Sequence, residues 1–475
     1  MKFPIDLFWQ RVSRYQNEKK IDLWLIGALV LGLSIRLVVA PISGDMNHDV
    51  HIWIETGKGL YEGLNPYTFS FFFKTSAEDN IGYMSPWPLL NFFSYWLSTS
   101  LFPGNIYALV AMIKLPIILA DLAVGFVVYR FILNRTDDLP NARRGLSLWL
   151  FNPLVIFVSS IYGMFDSLPT LFTLLSICYF IENHYDLSAI HLALGIAFKT
   201  YPIITVPLIF MFLMNMGLKS QATRYLKVII FVLSFLSIPF LIWDWRAYIC
   251  NVICHLWRPI HGFTLIDVFR FYSGVYLADI SLSCFLISVS LTLALFHRCN
   301  PPENVAFNGF MAVLLSFLAS FKVLHDNFFV WVLPFMVIDA KVWHPRRETF
   351  RWLYLPFFIV GFLLGPPFAY FKLLDEAGPH HMRMGFVSEL IRRDFQSYGM
   401  ELTVFKWILG VIVTLGCMLY IILIYLEARK PADKHAILLA SLIGVILSVI
   451  YLSYLLPVFQ GVFGGLPFEP YWPNL

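Results

Sequence analysis

The chain has 475 residues, of which 59% are hydrophobic, 17% are aromatic and only 13% are charged, and its mean hydropathy is +0.70. Soluble domains carry about 25% charged residues, so this composition excludes an ordinary soluble enzyme and predicts a polytopic membrane protein. The net charge of +4 is too small and too dispersed for a nucleic-acid-binding protein.

Three further possibilities are disfavoured by missing patterns. The six cysteines are scattered and indicate no disulfide framework. Cys250, Cys254 and His255 have a spacing that suits metal ligands, but a zinc site needs about four ligands and no second cluster supplies them. The sequence contains no GxxxxGK[ST] phosphate-binding loop, which argues against a nucleotide-driven pump.

Basic residues between the apolar runs predict how the chain is oriented. The leader up to Lys20 is basic and is expected to stay in the cytoplasm, so the first span, 21–40, runs outward. The run 87–102 is short and flanked by prolines, which predicts an interfacial or re-entrant element. The run 190–214 is interrupted at Lys199 and Pro202, which predicts two half-helices. The other predicted spans are 106–133, 146–161, 165–181, 228–243, 276–297, 305–321, 328–338, 353–373, 404–425 and 437–456.

These spans predict a single all-α membrane domain with about 11 to 13 transmembrane helices. Its three extracytoplasmic loops are expected at 42–105, 244–275 and 374–402, and the first of them is the largest. The basic connectors are expected inside. They contain Arg130, Arg135, Arg143 and Arg144, then Lys219, Arg224 and Lys227, then Lys341, His344, Arg346 and Arg347, and finally Arg429, Lys430 and Lys434.

The first external loop opens with a polar segment in a chain that is otherwise poor in charge. Asp45, His48, Asp49, His51 and Glu55 follow one another within it, interleaved with aromatic residues. A solvated connector is one interpretation, because loops at a membrane surface are generally polar. A catalytic or binding loop is the other, since acids and histidines in such a pattern are suited to proton transfer.

Four ionisable residues in or beside the predicted spans are candidates for function, because a charge inside a bilayer costs at least about 2.5–3.5 kcal/mol. Lys114 and Asp121 are seven residues apart on one helix face, so they are also predicted to pair. Asp166 precedes a helix, where it would either cap the helix or face a cavity. Lys199 lies at the predicted helix break and is expected to line a cavity, although a long side chain there can also reach the interface.

Cations on the same predicted side complement the acids Asp45 and Asp49. This division suits glycosyl transfer from a lipid phosphate: a carboxylate takes the proton of the attacking hydroxyl, and cations stabilise the departing phosphate. The activated lipid donor would supply the energy. The candidate phosphate-binding residues are Lys322, His325, Arg258 and His261, and a solvated turn is the alternative interpretation for Lys322 and His325.

Five strings give the chain a resemblance to a known family. They are GDMNHD with the following GLYEGLNPY, ADLAVGFVVYRF, LWLFNPLVIFVSSIYGMFDS, AFKTYPI and FKVLHDNFFVWVLP, and they span Asp45 to Pro334 in order. The chain resembles integral-membrane glycosyltransferases of the GT-C fold, and among them the polyprenyl- or dolichyl-phosphate-mannose-dependent mannosyltransferases. That group includes the catalytic subunit of GPI mannosyltransferase I and prokaryotic relatives. The GPI enzymes have an Asp-X-Asp-type pair, whereas Asp45 and Asp49 are separated by three residues. Which acid is the base, and whether a divalent metal takes part, therefore stay open.

The resemblance implies an inverting transfer of one hexose, expected to be mannose, from a polyprenyl-phosphate sugar to a lipid-linked or protein glycan on the extracytoplasmic side. The implied partners are this donor, the glycan acceptor and membrane lipids, with no nucleic acid and no certain cofactor. The alternatives are a transporter or flippase of lipid-linked sugars, with its substrate site at Lys199, and a non-catalytic subunit. We expect a prokaryotic plasma membrane, or the endoplasmic reticulum membrane in a eukaryote. The acceptor, the sugar and any accessory subunit are left open.

Overall fold

The computed structural model describes residues 22–43, 49–68, 81–253, 261–262, 278–296, 303–321, 323–343 and 402–427. Several predicted features lie outside these ranges. They are Asp45, Arg258 and Lys322, the spans 353–373 and 437–456, and the loop 374–402. This third external loop does so except for its last residue, Leu402.

Helices make up nearly all of the described structure. In chain order they are α1 (Leu23–Ile42), α2 (Asp49–Tyr61), α3 (Pro86–Leu101), α4 (Ile106–Thr136), α5 (Leu139–Leu150), α6 (Pro153–Ile156) with a π-helical continuation (Phe157–Ile161), α7 (Ser167–Ile181), α8 (Tyr185–Phe198), a 3₁₀ turn (Tyr201–Thr205), α9 (Val206–Asn215), α10 (Lys219–Ile253), α11 (Ala278–Phe296), α12 (Glu303–Ser320), a second 3₁₀ turn (Asp326–Trp331), α13 (Leu333–Val342) and α14 (Leu402–Glu427). The strands described are β1 (His261–Gly262) and β2 (Val323–Leu324).

Three described helices, α1, α4 and α10, are long and apolar enough to cross a membrane. The pair formed by α5 and the segment Pro153–Ile161 passes the same test as a fourth span, with a bend of 45° between its halves. Shorter apolar helices fill the space around them. The predicted class, an all-α polytopic membrane protein, is confirmed.

The predicted break at Lys199 is confirmed. Helix α8 ends at Phe198, and Lys199 has extended backbone angles (φ −150°, ψ 133°) before the 3₁₀ turn begins at Tyr201. A continuous helix is prevented by Pro202, because its ring would collide with the carbonyl group of Phe198 four residues earlier.

Two other predicted segments differ in detail from the structure. The span predicted as 146–161 begins earlier, at Leu139, and bends where the Asn152 side chain accepts a hydrogen bond from the Leu154 amide and starts a new helix. The loop predicted from 244 onward is helical as far as Ile253. Asp244 breaks the helix (φ −160°, ψ 95°) and then accepts a 2.9 Å hydrogen bond from the Ala247 amide.

The helix pair α2 and α3 lies within the predicted first external loop and packs against the rest of the helices. Gly57 of α2 faces the α3 backbone so closely that a Cβ atom would collide with the Asn91 carbonyl oxygen. The Tyr67 hydroxyl, after α2, donates a 2.8 Å hydrogen bond to the Tyr83 carbonyl, and the Asn251 amide donates one of 2.8 Å to the Tyr67 carbonyl. Burial raises the pKa of Tyr67 well above its ordinary value, so the phenol stays neutral and keeps donating.

Replacement of Gly57 by alanine should therefore push α2 away from α3. We expect Gly57→Ala to lower stability by about 1–3 kcal/mol, the usual cost of overpacking, measured as a fall in thermal unfolding temperature in detergent. Gly27→Ala is the matched control, because a Cβ atom at Gly27 meets no atom within 4 Å. Equal unfolding temperatures for the two variants would contradict the close α2–α3 contact.

Candidate active site

Asp166 is the centre of a buried polar network that joins three separate segments. Its Oδ1 atom lies 2.6 Å from Lys199 Nζ and also accepts a hydrogen bond from the Trp331 indole. Its Oδ2 atom accepts a 2.7 Å hydrogen bond from the Asn327 amide. The carboxylate makes no capping bond to α7, so the capping interpretation of Asp166 is wrong. Instead it ties the start of α7 to the helix break at Lys199 and to the turn after β2.

Aromatic rings enclose the ammonium group of Lys199. Nζ lies 5.2–5.9 Å from the ring centroids of Phe328, Trp331, Phe165 and Tyr83. Such contacts add about 0.5–2 kcal/mol each when the cation is desolvated. Lys199 is 9% exposed and holds Asp166. The charge is therefore neutralised inside the protein by Asp166.

Lys114 holds the end of α1 against the end of the π-helical segment. Its ammonium group lies 3.0–3.1 Å from five oxygen atoms: the carbonyls of Ala40, Ser43, Ser160 and Ile161 and the Ser43 hydroxyl. These carbonyls belong to helix ends, where they lack partners within the helix. Lys114 is fully buried. It therefore fixes the backbone at the residue that immediately precedes the acidic segment 44–49.

The turn after the π-helix also receives the first helix of the loop. Gly163 has a positive φ of +76°, which only glycine adopts without strain, and a Cβ atom there would meet the side chains of Val50 and Lys114. The Trp53 indole donates a 3.2 Å hydrogen bond to the Gly163 carbonyl. Both described ends of the acidic segment, Ser43 and α2, are thus attached to residues 160–163. Asp49 is the first residue of α2 and is half-buried.

Asp121 pairs with an arginine that the sequence did not single out. Arg36 Nε lies 3.0 Å from Asp121 Oδ2, both side chains are fully buried, and the Ser167 hydroxyl donates to Oδ1. The predicted ion pair between Lys114 and Asp121 is not the arrangement found, since each group has its own partners two helical turns apart. Arg36 was detectable as an arginine inside the apolar run 21–40.

The four rings around Lys199 form what we call the Lys199 cage. Further aromatic side chains fill the space between this cage and the helices α2 and α3. The Trp87 ring stacks on Phe165 at 4.2 Å, and the Trp53 ring meets both of them edge-on. Tyr83 packs against Phe165 at 4.7 Å. The loop therefore reaches the Asp166 network through a continuous set of rings, which Trp331 extends by stacking on Tyr201 at 3.8 Å.

The two segments that carry the predicted phosphate-binding cations are neighbours in the backbone. Strands β1 and β2 pair in parallel, with His261 opposite Val323 and Gly262 opposite Leu324. The His325 ring lies 5.6 Å from the Phe328 ring, which is one wall of the Lys199 cage. Sequence reasoning missed Asn327, Trp331 and Tyr83, because asparagine and aromatic residues carry no charge to mark them.

No family model matches the chain, but individual sequences do. GPI mannosyltransferase 1 of Candida albicans is 25% identical over 315 residues, which cover 61% of this chain and 73% of the relative. The protein of the same name from Saccharomyces cerevisiae is 26% identical over 304 residues, or 61% of this chain and 70% of the relative. This chain resembles GPI mannosyltransferase 1. The resemblance predicted from the five strings is thereby confirmed. A third relative of that name, from Debaryomyces hansenii, is 26% identical over 220 residues, which cover 40% of this chain and 52% of the relative.

The Asp166–Lys199 pair can be tested by a double-mutant cycle. Lys199→Met should destabilise the protein by about 3–5 kcal/mol, because it leaves the Asp166 carboxylate buried beside an apolar side chain. Adding Asp166→Asn should recover much of this loss, since the amide removes the charge and keeps one acceptor oxygen. Thermal unfolding in detergent measures both effects.

The control is the surface pair Arg224–Asp186, whose atoms lie 2.7 Å apart while the side chains are 61% and 44% exposed. Arg224→Met should change stability by only about 0–1 kcal/mol. Equal losses from Lys199→Met and Arg224→Met, or an additive double variant, would contradict a coupled buried pair.

Proposed function

We propose that the protein is a mannosyltransferase that moves one mannosyl residue from a polyprenyl-phosphate donor to a lipid-linked glycan on the extracytoplasmic side of the membrane. Three findings support the proposal. The relatives that match are named GPI mannosyltransferase 1, the chain is an all-α polytopic membrane protein, and the acidic loop is attached to the same turn as the Asp166 network.

Segment 323–331 is attached at both of its ends, and this observation carries the proposal. Its start pairs with β1, the strand that begins at His261, and its end donates two hydrogen bonds to Asp166. The two segments that bear the predicted phosphate-binding cations are thus joined by the pairing of β1 with β2. The second segment is also bound to the buried carboxylate of Asp166. Such support reduces the cost of ordering the cations when an anion binds.

We expect the acids to approach from the other side of the turn 160–163. Lys114 binds the carbonyl and the hydroxyl of Ser43, and Val50 lies next to Gly163, so both residues that flank the acidic segment contact this turn or the lysine bound to it. The turn leads into Asp166. In this proposal an acid from the loop and the candidate cations Lys322 and His325 approach one substrate from two directions, as in-line displacement requires.

The proposed reaction is a single displacement. A carboxylate of Asp45 or Asp49 accepts the proton of the acceptor hydroxyl, and the hydroxyl oxygen forms a bond to the anomeric carbon. The bond from that carbon to the phosphate oxygen breaks, and the polyprenyl phosphate leaves with the electron pair. Attack opposite the leaving group inverts the configuration. A positioned base contributes about 10²–10⁴-fold to the rate.

Asp45→Asn should abolish transfer, because the amide keeps a hydrogen-bond acceptor but cannot take a proton. We expect a fall of at least about 10²-fold in kcat, measured with a radiolabelled polyprenyl-phosphate mannose and a glycolipid acceptor. Glu62→Gln, which changes an exposed acid directly after α2 in the same loop, should stay active. An active Asp45→Asn with an inactive Asp49→Asn would transfer the role to Asp49. Activity in both would refute the carboxylate mechanism.

Lys322→Ala should weaken donor binding. A hydrogen bond to a charged group contributes about 1.5–3 kcal/mol, so we expect the donor KM to rise roughly ten- to hundredfold. The acceptor KM should stay the same. Lys58→Ala, which removes one charge from α2, is the control. A change confined to the acceptor KM would contradict a phosphate-binding role for Lys322. Equal rates with a nucleotide sugar as donor would contradict the polyprenyl-phosphate donor.

A further inference from the structure

Helix α4 carries two buried charged residues, and each of them is bound to a different part of the proposed transfer site. Lys114 and Asp121 are seven residues apart, which corresponds to two helical turns and about 10 Å along the helix axis. Both side chains are fully buried. The helix is enclosed on several sides, because it packs against α1, α2, α3, α5, α7 and α13. The proposed reaction gives neither residue a role.

Lys114 holds the side of the site that carries the acids. Its ammonium group binds the carbonyl of Ser43 at 3.0 Å and the hydroxyl of Ser43 at 3.1 Å. The Ser43 hydroxyl in turn donates a 2.6 Å hydrogen bond to the Val39 carbonyl, which links the ammonium group to the last turn of α1. Ser43 immediately precedes the acidic segment 44–49. The point from which that segment starts is therefore fixed to α4.

Asp121 holds the side of the site that carries the cations. Its Oδ1 atom accepts a hydrogen bond from the Ser167 hydroxyl, and its Oδ2 atom lies 3.0 Å from Arg36 Nε. The Trp149 indole donates a 2.8 Å hydrogen bond to the Asp121 carbonyl, so the backbone of Asp121 is held as well. Ser167 directly follows Asp166, whose carboxylate binds the segment with the predicted phosphate-binding cations. Asp121 thus fixes the residue beside that anchor.

Stability alone does not account for these charges. A buried ion pair such as Asp121–Arg36 is often no more stable than well-packed apolar side chains of the same volume, because both charges must leave water. Lys114 carries the same desolvation cost and offsets it with helix-end carbonyls. What the charges add is direction, since each hydrogen bond holds one particular atom of a segment that borders the site.

We propose that α4 sets the separation between the catalytic acid and the phosphate-binding cations, with Lys114 and Asp121 as its positioning residues. This inference rests on the proposed function. Lys114 acts through Ser43, and Asp121 acts through Ser167 and Asp166, so neither touches the substrate. In-line displacement needs the base and the leaving phosphate on opposite sides of one anomeric carbon, and an error of about 1 Å can cost up to about 10²-fold in rate. A packed helix holds such a separation better than loops, which are more mobile.

The test deletes one hydroxyl group on each side of α4. Ser43→Ala removes the Lys114 contact next to the acids, so kcat should fall by about three- to tenfold while the donor KM stays the same. Ser167→Ala removes the Asp121 contact next to Asp166, so the donor KM should rise by about three- to tenfold while kcat stays the same. Both constants are measured with a radiolabelled polyprenyl-phosphate mannose, and unfolding temperatures are measured in detergent.

Ser176→Ala is the matched control. Ser176 is a fully buried serine of α7, like Ser167, but its hydroxyl shares a 3.0 Å hydrogen bond with Ser188 instead of a residue of α4. Both kinetic constants should stay unchanged in this variant. Ser167→Cys guards against a folding defect, because it fills the same space with a weaker donor. Its donor KM should lie between those of the natural sequence and Ser167→Ala.

Opposite effects of the two alanine variants on kcat and the donor KM would support the proposal. The same constant changed in both, or neither constant changed in either, would overturn it, since a general loss of packing does not separate the two constants. The variants Asp45→Asn, Asp49→Asn and Lys322→Ala test the proposed function itself. If these three lack their expected effects, the proposed function fails. If they show them while the serine variants do not separate, only the role of α4 fails.

Discussion

The Asp166–Lys199 ion pair is the interaction on which the arrangement of the segments around it depends. A single charge in the membrane interior is costly, and so each of these groups makes the other tolerable. The pair also fixes geometry, because its members lie at the start of one helix and at the break between two others. Asn327 and Trp331 attach a third segment to the same carboxylate. Removing one charge would therefore loosen three segments of the chain at once.

Helix α4 carries two further buried charges, Lys114 and Asp121, and each has a different kind of partner. Lys114 distributes its charge over five oxygens from helix ends, whereas Asp121 pairs directly with Arg36. Helix-end carbonyls are natural partners for a buried cation, since the helix itself leaves them unpaired. Lys114 binds these unpaired carbonyls and so acts as a clamp that fixes the backbone just before the acidic segment 44–49. The clamp and the Asp166 network lie on either side of Gly163, whose positive φ glycine adopts without strain.

The sequence by itself determined the class of the protein, the positions of most helices and the break at Lys199. Each of these is a local property, since apolar length, helix-breaking prolines and charge patterns act over one helix at a time. It also marked Asp121, Asp166 and Lys199 as costly charges that need partners. Five short strings were enough to identify the resemblance to GPI mannosyltransferase 1, although they left the catalytic acid open.

Only the tertiary structure decided which groups meet. Lys114 and Asp121 lie on one helix and were expected to pair, yet each is satisfied by a different neighbour, and Asp166 is bound to Lys199 rather than capping its helix. The pairing of His261 with Val323, and the cage built from Tyr83, Phe165, Phe328 and Trp331, join residues that are far apart in the chain. Such contacts depend on how helices pack against one another. Helix packing is set by the shapes of many side chains together, and hydropathy and charge patterns do not record it.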